Sequence, residues 1–136
     1  GIVQIQMQNH GIKIVKDYQT DTEVSLYKNE VMQVILSLLK NAEDNFLLKN
    51  ISDPIITIKT EKIKDSLVIS ICDNGRGVSK DIIDKIFDPY FSTKDEKNGT
   101  GLGLYMSKIM IEEHNNGILN VKNSKEGACF EIILSK

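Results

Sequence analysis

The sequence predicts an α/β domain, and three observations carry that expectation. One is a long helical stretch, residues 29–48, whose apolar positions Val31, Val34, Ile35, Leu38, Leu39, Ala42 and Phe46 are spaced to form one buried stripe. Another is a set of short strand-like runs at residues 11–18, 55–60, 67–72, 118–121 and 128–134, separated by turn residues. The third is a glycine-rich turn, Gly99-Thr100-Gly101-Leu102-Gly103-Leu104, at the start of a second helical pattern.

Composition narrows the class. At 136 residues the chain is one domain, long enough for a real core. With 17 basic and 19 acidic residues and the lysines scattered, there is no basic face of the kind nucleic acid requires. The longest apolar runs, such as residues 67–72, fall far short of the ~20 residues of a membrane span, and no signal-peptide pattern opens the chain. The expectation is a soluble domain touching neither nucleic acid nor membrane. Cys72 and Cys129 lie in two apolar strand-like runs without CxxC or Cys/His spacing, which points to buried free thiols and a reducing cytoplasm. The chain opens on Gly1 rather than Met, as either a piece of a longer protein or a processed chain would.

Taken in order, residues 1–10 read as a linker or the end of a preceding helix, and Asn9-His10-Gly11 as a turn. Residues 11–18 partly alternate apolar with polar, as a half-buried strand does. After the long helix, Ser52-Asp53-Pro54 breaks the chain, and residues 55–60 and 67–72 form a hairpin around a polar turn. Ser79 is the N-cap residue of a short helix through Ile82, Ile83 and Ile86, ended by Phe87-Asp88-Pro89. Residues 92–98 are polar and aperiodic, as a mobile lid or an ordinary surface loop would be. The last helix runs from Leu102 to His114 and stops at Asn115-Asn116-Gly117; His114 there suits a structural role at a helix C-terminus. Residues 118–121 and 128–134 make a final hairpin through Lys125-Glu126-Gly127.

Three segments carry chemistry. Each glycine near a helix start loses roughly 0.5–1 kcal/mol against alanine, so Gly99, Gly101 and Gly103 suggest backbone brought close to a ligand, and the N–H groups of a first helical turn suit phosphate. A mobile loop has the same composition. On the long helix, Glu30, Ser37, Asn41 and Asp44 share a polar strip beside the apolar stripe; Asn41 is a poor interior helix residue, so chemistry is one reason for it and solvation the other. Asp73-Asn74-Gly75-Arg76-Gly77-Val78 follows a strand. Its carboxylate can accept from an exocyclic amine, although the same residues make an ordinary tight turn.

Together and in this order, the segments resemble the catalytic ATP-binding domain of sensor histidine kinases, in the GHKL superfamily shared with DNA gyrase, the mismatch-repair ATPases and the 90-kilodalton chaperones. The likeness covers residues 11–136. Its N box matches residues 33–42, its G1 box Asp73-Asn74-Gly75-Arg76-Gly77, its F box Ile86-Phe87-Asp88-Pro89-Tyr90-Phe91, and its G2 box residues 99–104. The resemblance implies a two-layer α/β sandwich, a mixed sheet of about five strands with three helices on one face and ATP under a lid. It implies Asn41 as the Mg²⁺ ligand, with Ser37 and Asp44 beside it. Asp73 would hold the adenine amine, with Gly75, Gly77 and Val78 around the ring. Thr100, Gly101, Leu102, Gly103 and Leu104 would lie along the phosphates, and Lys94 would reach the γ-phosphate.

Two departures stand out: Ser37 replaces a frequent first Asn, and Asn45 an aromatic found beside the adenine in many members. The implied reaction is transfer of the ATP γ-phosphoryl group to a histidine on a separate dimerisation domain, then to a response regulator. The isolated domain would be a cytoplasmic monomer, with membrane anchoring of the full protein left open. Rivals are an anti-sigma-type serine kinase, another ATPase of the superfamily, or a non-catalytic nucleotide-binding module. The hydrolysing members carry a Glu as base four residues before the Asn, where this chain has Ser37.

Overall fold

The computed structural model describes residues 11–18, 28–89 and 103–135. In chain order these form β1 (Lys13–Tyr18), α1 (Lys28–Lys49), β2 (Ile55–Ile63), β3 (Ser66–Asp73), α2 (Gly103–Ile109) prolonged by a π-helical turn (Met110–His114), β4 (Ile118–Asn123) and β5 (Ala128–Ser135). The five strands make one sheet in the order β1-β2-β3-β5-β4. It is mixed: β1 and β2 run parallel, and the other neighbours are antiparallel. A parallel pair needs a crossover, and α1 lies between β1 and β2 in the chain.

Both hairpins expected from the sequence form. Ile63 pairs with Ser66 across a two-residue turn in which Lys64 has φ 56°. Asn123 pairs with Ala128, and Ser124 N–H donates to Gly127 O at 2.7 Å.

Strand alternation sorts the side chains. Ile69 and Ile71 of β3, Phe130, Ile132 and Leu134 of β5, and Leu119 of β4 join one core with Val31, Val34, Leu38, Leu39, Ala42 and Phe46 of α1 and with Ile111. The apolar stripe of α1 is therefore the face that meets the sheet. Val68, Ser70 and Cys72 alternate with the core residues of β3 and point to the opposite face.

Each helix end has a local cause. Asn50 adopts the left-handed region at φ 51°, and Ile51 N–H donates to Phe46 O at 3.2 Å, closing the last turn of α1. At the other helix Asn116 has φ 54° and Gly117 N–H donates to Ile111 O at 2.8 Å. Gly117 is also required by packing, because a Cβ there would sit 2.6 Å from Ile133 O. His114 Nδ1 lies 2.6 Å from Glu30 Oε2, tying the end of the second helical segment to the first turn of α1.

Two expectations are corrected. Of the three helices, only two exist among the described residues, since residues 80–87 form consecutive turns. Ser79 does start them: its Oγ accepts from Asp81 N–H at 3.3 Å, and its carbonyl accepts from Ile82 and Ile83. The following bonds, Lys85 to Ile82 and Asp88 to Lys85, span three residues, and Pro89 disfavours helix at Asp88. So short a run cannot offset helix nucleation. The second correction concerns the cysteines, which are joined as a Cys72–Cys129 disulfide rather than free. Their 57-residue separation hides that β3 and β5 pair with these two positions directly opposite. The lid expected at residues 92–98 lies outside the described residues. No helix among the described residues is long and apolar enough to cross a membrane.

Candidate functional site

The exit of β3 is the best-built polar feature on the core side of the sheet. Asp73 follows Cys72 and so returns to the face of Ile71, beneath α1. Its Oδ1 accepts from Gly75 N–H at 2.8 Å and from Ala128 N–H at 3.4 Å. Burial pushes the Asp73 carboxyl above its ordinary value; the two backbone N–H bonds and the charge of Lys49 oppose that rise without cancelling it.

The turn that follows is clamped from three directions. From the last turns of α1, Asn45 Nδ2 donates to Gly75 O at 3.1 Å, and Lys49 Nζ donates to Gly75 O at 3.0 Å and Gly77 O at 3.1 Å. From the start of β2, Ile55 N–H donates to Asn74 Oδ1 at 2.8 Å, while Asn74 Nδ2 donates to Asp53 O at 3.0 Å. From the last hairpin, Asn123 accepts from Val78 N–H at 2.8 Å and donates to Val78 O at 2.7 Å, and Arg76 N–H donates to Glu126 O at 3.1 Å.

This packing explains the glycines of the turn. Gly75 is buried, and a Cβ there would collide with Asn45 Nδ2. Gly77 has φ 77°, and its Cβ would fall 2.7 Å from Asn123 Oδ1. A Cβ at Gly127 would collide with Asp73 O. The glycines let helix, strand and hairpin converge on Asp73. Val78, expected around a ring, packs against the core.

Ser37, Asn41, Asn45 and Lys49 recur every four residues along α1. One end of the series meets the turn after β3, as above. At the other, Ser37 Oγ lies 3.4 Å from where a Cβ on Gly103 would be. Asn41 is half-buried between them. Eight residues at 1.5 Å rise separate Ser37 from Asn45 by roughly 12 Å along the axis, so the row spans from the first turn of α2 to the Asp73 turn. Asp44 stands off this row and pairs with Lys40 at 3.2 Å. Leu104 packs against the core. Lys94, Thr100, Gly101 and Leu102 lie outside the described residues.

Sequence reasoning missed Lys49, Asn74, Asn123 and Gly127, and saw Asn45 only as a lost aromatic. The four-residue repeat from Ser37 would have reached Asn45 and Lys49. Asn74 and Asn123 carry no such signal, because their partners lie 19 residues or more away in sequence, and Gly127 reads only as part of its own hairpin turn until the fold sets it against Asp73.

The candidate site is thus a polar helix row over a half-buried aspartate at a strand exit, on a mixed α/β sheet. Residues 27–136 match the family model described as histidine kinase-, DNA gyrase B-, and HSP90-like ATPase, and the chain belongs to that family. The sensor protein KdpD of Clostridium acetobutylicum is 35% identical over 133 residues, 95% of this chain and 14% of that protein. Sporulation kinase A of Bacillus subtilis is 31% identical over 99% of this chain and 22% of its own length. The chain thus spans less than a quarter of these relatives. Among solved structures, the catalytic domain of histidine kinase ThkA superposes with a TM-score of 0.86 at 24% identity, covering 99% of this chain and 86% of that one. ThkA in complex with the response regulator TrrA gives 0.78 at 20% identity, covering 99% of this chain and 37% of that one. At such identities these two structures speak for the fold.

Proposed function

We propose that this chain is the catalytic domain of a sensor histidine kinase, which binds ATP and donates its γ-phosphoryl group to a histidine on a separate dimerisation domain. The observation that carries the nucleotide reading is Asp73: a half-buried carboxylate whose Oδ1 is held by two backbone N–H groups under a polar helix row. Such a carboxylate accepts a hydrogen bond from the exocyclic amine of adenine, and the clamped turn fixes its position. Family membership supports ATP as the ligand. The kinase reading draws on relatives named as a sensor protein and a sporulation kinase.

The site fits a hard divalent ion held with the phosphates. Asn41 offers an amide oxygen in mid-row, and the exposed Gly103 leaves room beside Ser37. Mg²⁺ bound there would neutralise triphosphate charge. The chain's own residues orient the nucleotide: Asp73 fixes the base, the row on α1 lies along the phosphate path, and the backbone around Gly101 and Gly103 contributes N–H groups. Positioning and charge balance are what phosphoryl transfer asks of such a domain. Lys94 adds a cation at the γ-phosphate. Residues 11–136 form the catalytic unit, a cytoplasmic monomer when isolated, with residues 1–10 leading from the dimerisation domain. A response regulator receives the phosphoryl group afterwards.

Two measurements test this in sequence. Calorimetric titration with Mg-ATP is expected to show saturable binding; its absence from a folded chain overturns the nucleotide reading. Radiolabelled ATP is then expected to phosphorylate the helical domain encoded upstream, and Asn41→Asp to abolish transfer. A folded, ATP-bound chain that transfers nothing refutes the kinase reading.

A further inference from the structure

The disulfide borders the residues that hold Asp73. Cys72 is the chain neighbour of Asp73, and Cys129 that of Ala128, whose N–H donates to Asp73 Oδ1 at 3.4 Å. The bonded pair sits opposite in the β3–β5 register with Cα atoms 4.0 Å apart. It projects from the sheet face opposite Ile71 and Phe130, away from the helices. A thiol reagent approaching that face need not cross the nucleotide side. Cys72 is the more accessible partner, half-buried where Cys129 is buried. Lys122 stands opposite Cys129 in the β4–β5 register, with its ammonium paired to Glu131 Oε2 at 3.4 Å.

We propose that Cys72 and Cys129 form a reversible thiol–disulfide site, exchanging with glutathione-class thiols, whose bonded state holds Asp73 and Ala128 in the nucleotide-binding arrangement. This rests on the nucleotide reading of Asp73. In the reducing direction a glutathione thiolate attacks Cys72 Sγ. The bond to Cys129 Sγ breaks, and Cys129 leaves with the electron pair and takes a proton. A second glutathione thiolate attacks the glutathione sulfur of the mixed disulfide and expels Cys72 thiolate, which is protonated in turn. One protein disulfide is reduced, two glutathione thiols become one glutathione disulfide, and two protons pass from those thiols to the cysteines. Oxidation by glutathione disulfide runs the same steps in reverse.

Once the bond opens, β3 and β5 are joined at this pair only by the sheet ladder. The Ala128 N–H bond, long at 3.4 Å, is then the first to lengthen. Reduction therefore loosens the hold on Asp73 and weakens nucleotide binding, while the core on the other face keeps the fold.

The test equilibrates the whole chain in buffers of graded glutathione to glutathione disulfide ratio. One aliquot of each is alkylated and weighed by mass spectrometry, and another is titrated with Mg-ADP. The expected result is a graded shift between unalkylated and doubly alkylated protein, with ADP affinity falling at least about fivefold on reduction. Cys129→Ala is expected to bind like the reduced parent and to ignore the buffer. Should that variant not fold, the parent read in its two states decides alone. The inference is overturned if the cysteines are alkylated at every ratio, stay bonded at every ratio, or change state with no change in ADP affinity. If neither the bonded nor the reduced state binds ADP, the nucleotide reading is overturned as well, which separates the two failures.

Discussion

Replacing Lys49 with Met keeps most of the aliphatic stem and deletes the ammonium that joins α1 to the turn after Asp73. Lys49 Nζ donates to Gly75 O and Gly77 O at 3.0 and 3.1 Å. Gly75 O retains Asn45 Nδ2 at 3.1 Å, so the loss falls mainly on Gly77 O. One hydrogen bond from a charged donor contributes about 1.5–3 kcal/mol, and partial solvent access at Lys49 brings the expected destabilisation to about 1–2 kcal/mol. At 1.36 kcal/mol per tenfold, a loss of that size carried wholly into the site weakens nucleotide binding by about 5–30-fold. A second readout distinguishes this from mere loosening. The charge of Lys49 opposes the rise of the Asp73 carboxyl, so removing it lets that pKa climb further. The amine of adenine needs the ionised form as acceptor, and the acid limb of ADP binding is expected to move to higher pH in Lys49→Met. Urea unfolding, with its slope unchanged, and calorimetry across pH make the assay. A variant that unfolds at the parent's urea concentration, binds ADP equally and keeps the same acid limb would refute the clamp.

Asp73→Asn retains an oxygen for the Gly75 and Ala128 N–H groups and removes a half-buried charge. At neutral pH it is expected to unfold no more easily than the parent while losing about tenfold or more in ADP affinity, read by calorimetry. The pH sign follows from the raised carboxyl: between the ordinary 3.8 and the raised value the folded state holds the proton more tightly than the unfolded state. The contribution of Asp73 to stability therefore falls as pH rises through that window and is flat in Asp73→Asn, as urea melts across acid pH should show. Gly127→Ala and Gly117→Ala both drive a Cβ into backbone, at Asp73 O and Ile133 O respectively, and each is expected to lose about 1–3 kcal/mol in urea. Only Gly127→Ala should also weaken ADP binding, because only it displaces Asp73. Leu38→Ala empties a side chain 1% exposed and is expected to lose about 2–5 kcal/mol, most simply seen as a lower urea midpoint.

Much of the fold could be read directly because its signals are local. The stripe of residues 29–48 became α1 within a residue at each end, since a 3.6-residue period can bury a single face. The four later strands were expected in shorter form, and pairing extended them; β3 reaches Asp73 because Ile56 pairs with it. The short helix expected after Ser79 does not form, for reasons written nearby: the run is too short to offset nucleation, and Pro89 closes it. In the candidate site, Asp73, Ser37 and Asn41 are singled out by the order of the boxes. Lys49 escaped because a lysine ending a helix has a sufficient explanation in the helix dipole, and its two carbonyl acceptors appear only once the turn is packed.

The sequence by itself determined which stretches become helix or strand, which faces are apolar, and that a carboxylate stands where a strand ends beside glycines. Periodicity and turn chemistry act over a few residues, and their record is continuous in the chain. Tertiary structure decided what those residues face. It brought residue 129 opposite residue 72, making a disulfide of two expected free thiols. It set Asn45 and Lys49 on the carbonyls of Gly75 and Gly77, and Asn123 on Val78. It also gave Gly75 and Gly77 a packing role that their flexibility alone did not reveal. Such contacts join segments many residues apart, and the order β1-β2-β3-β5-β4 exists only when the sheet does.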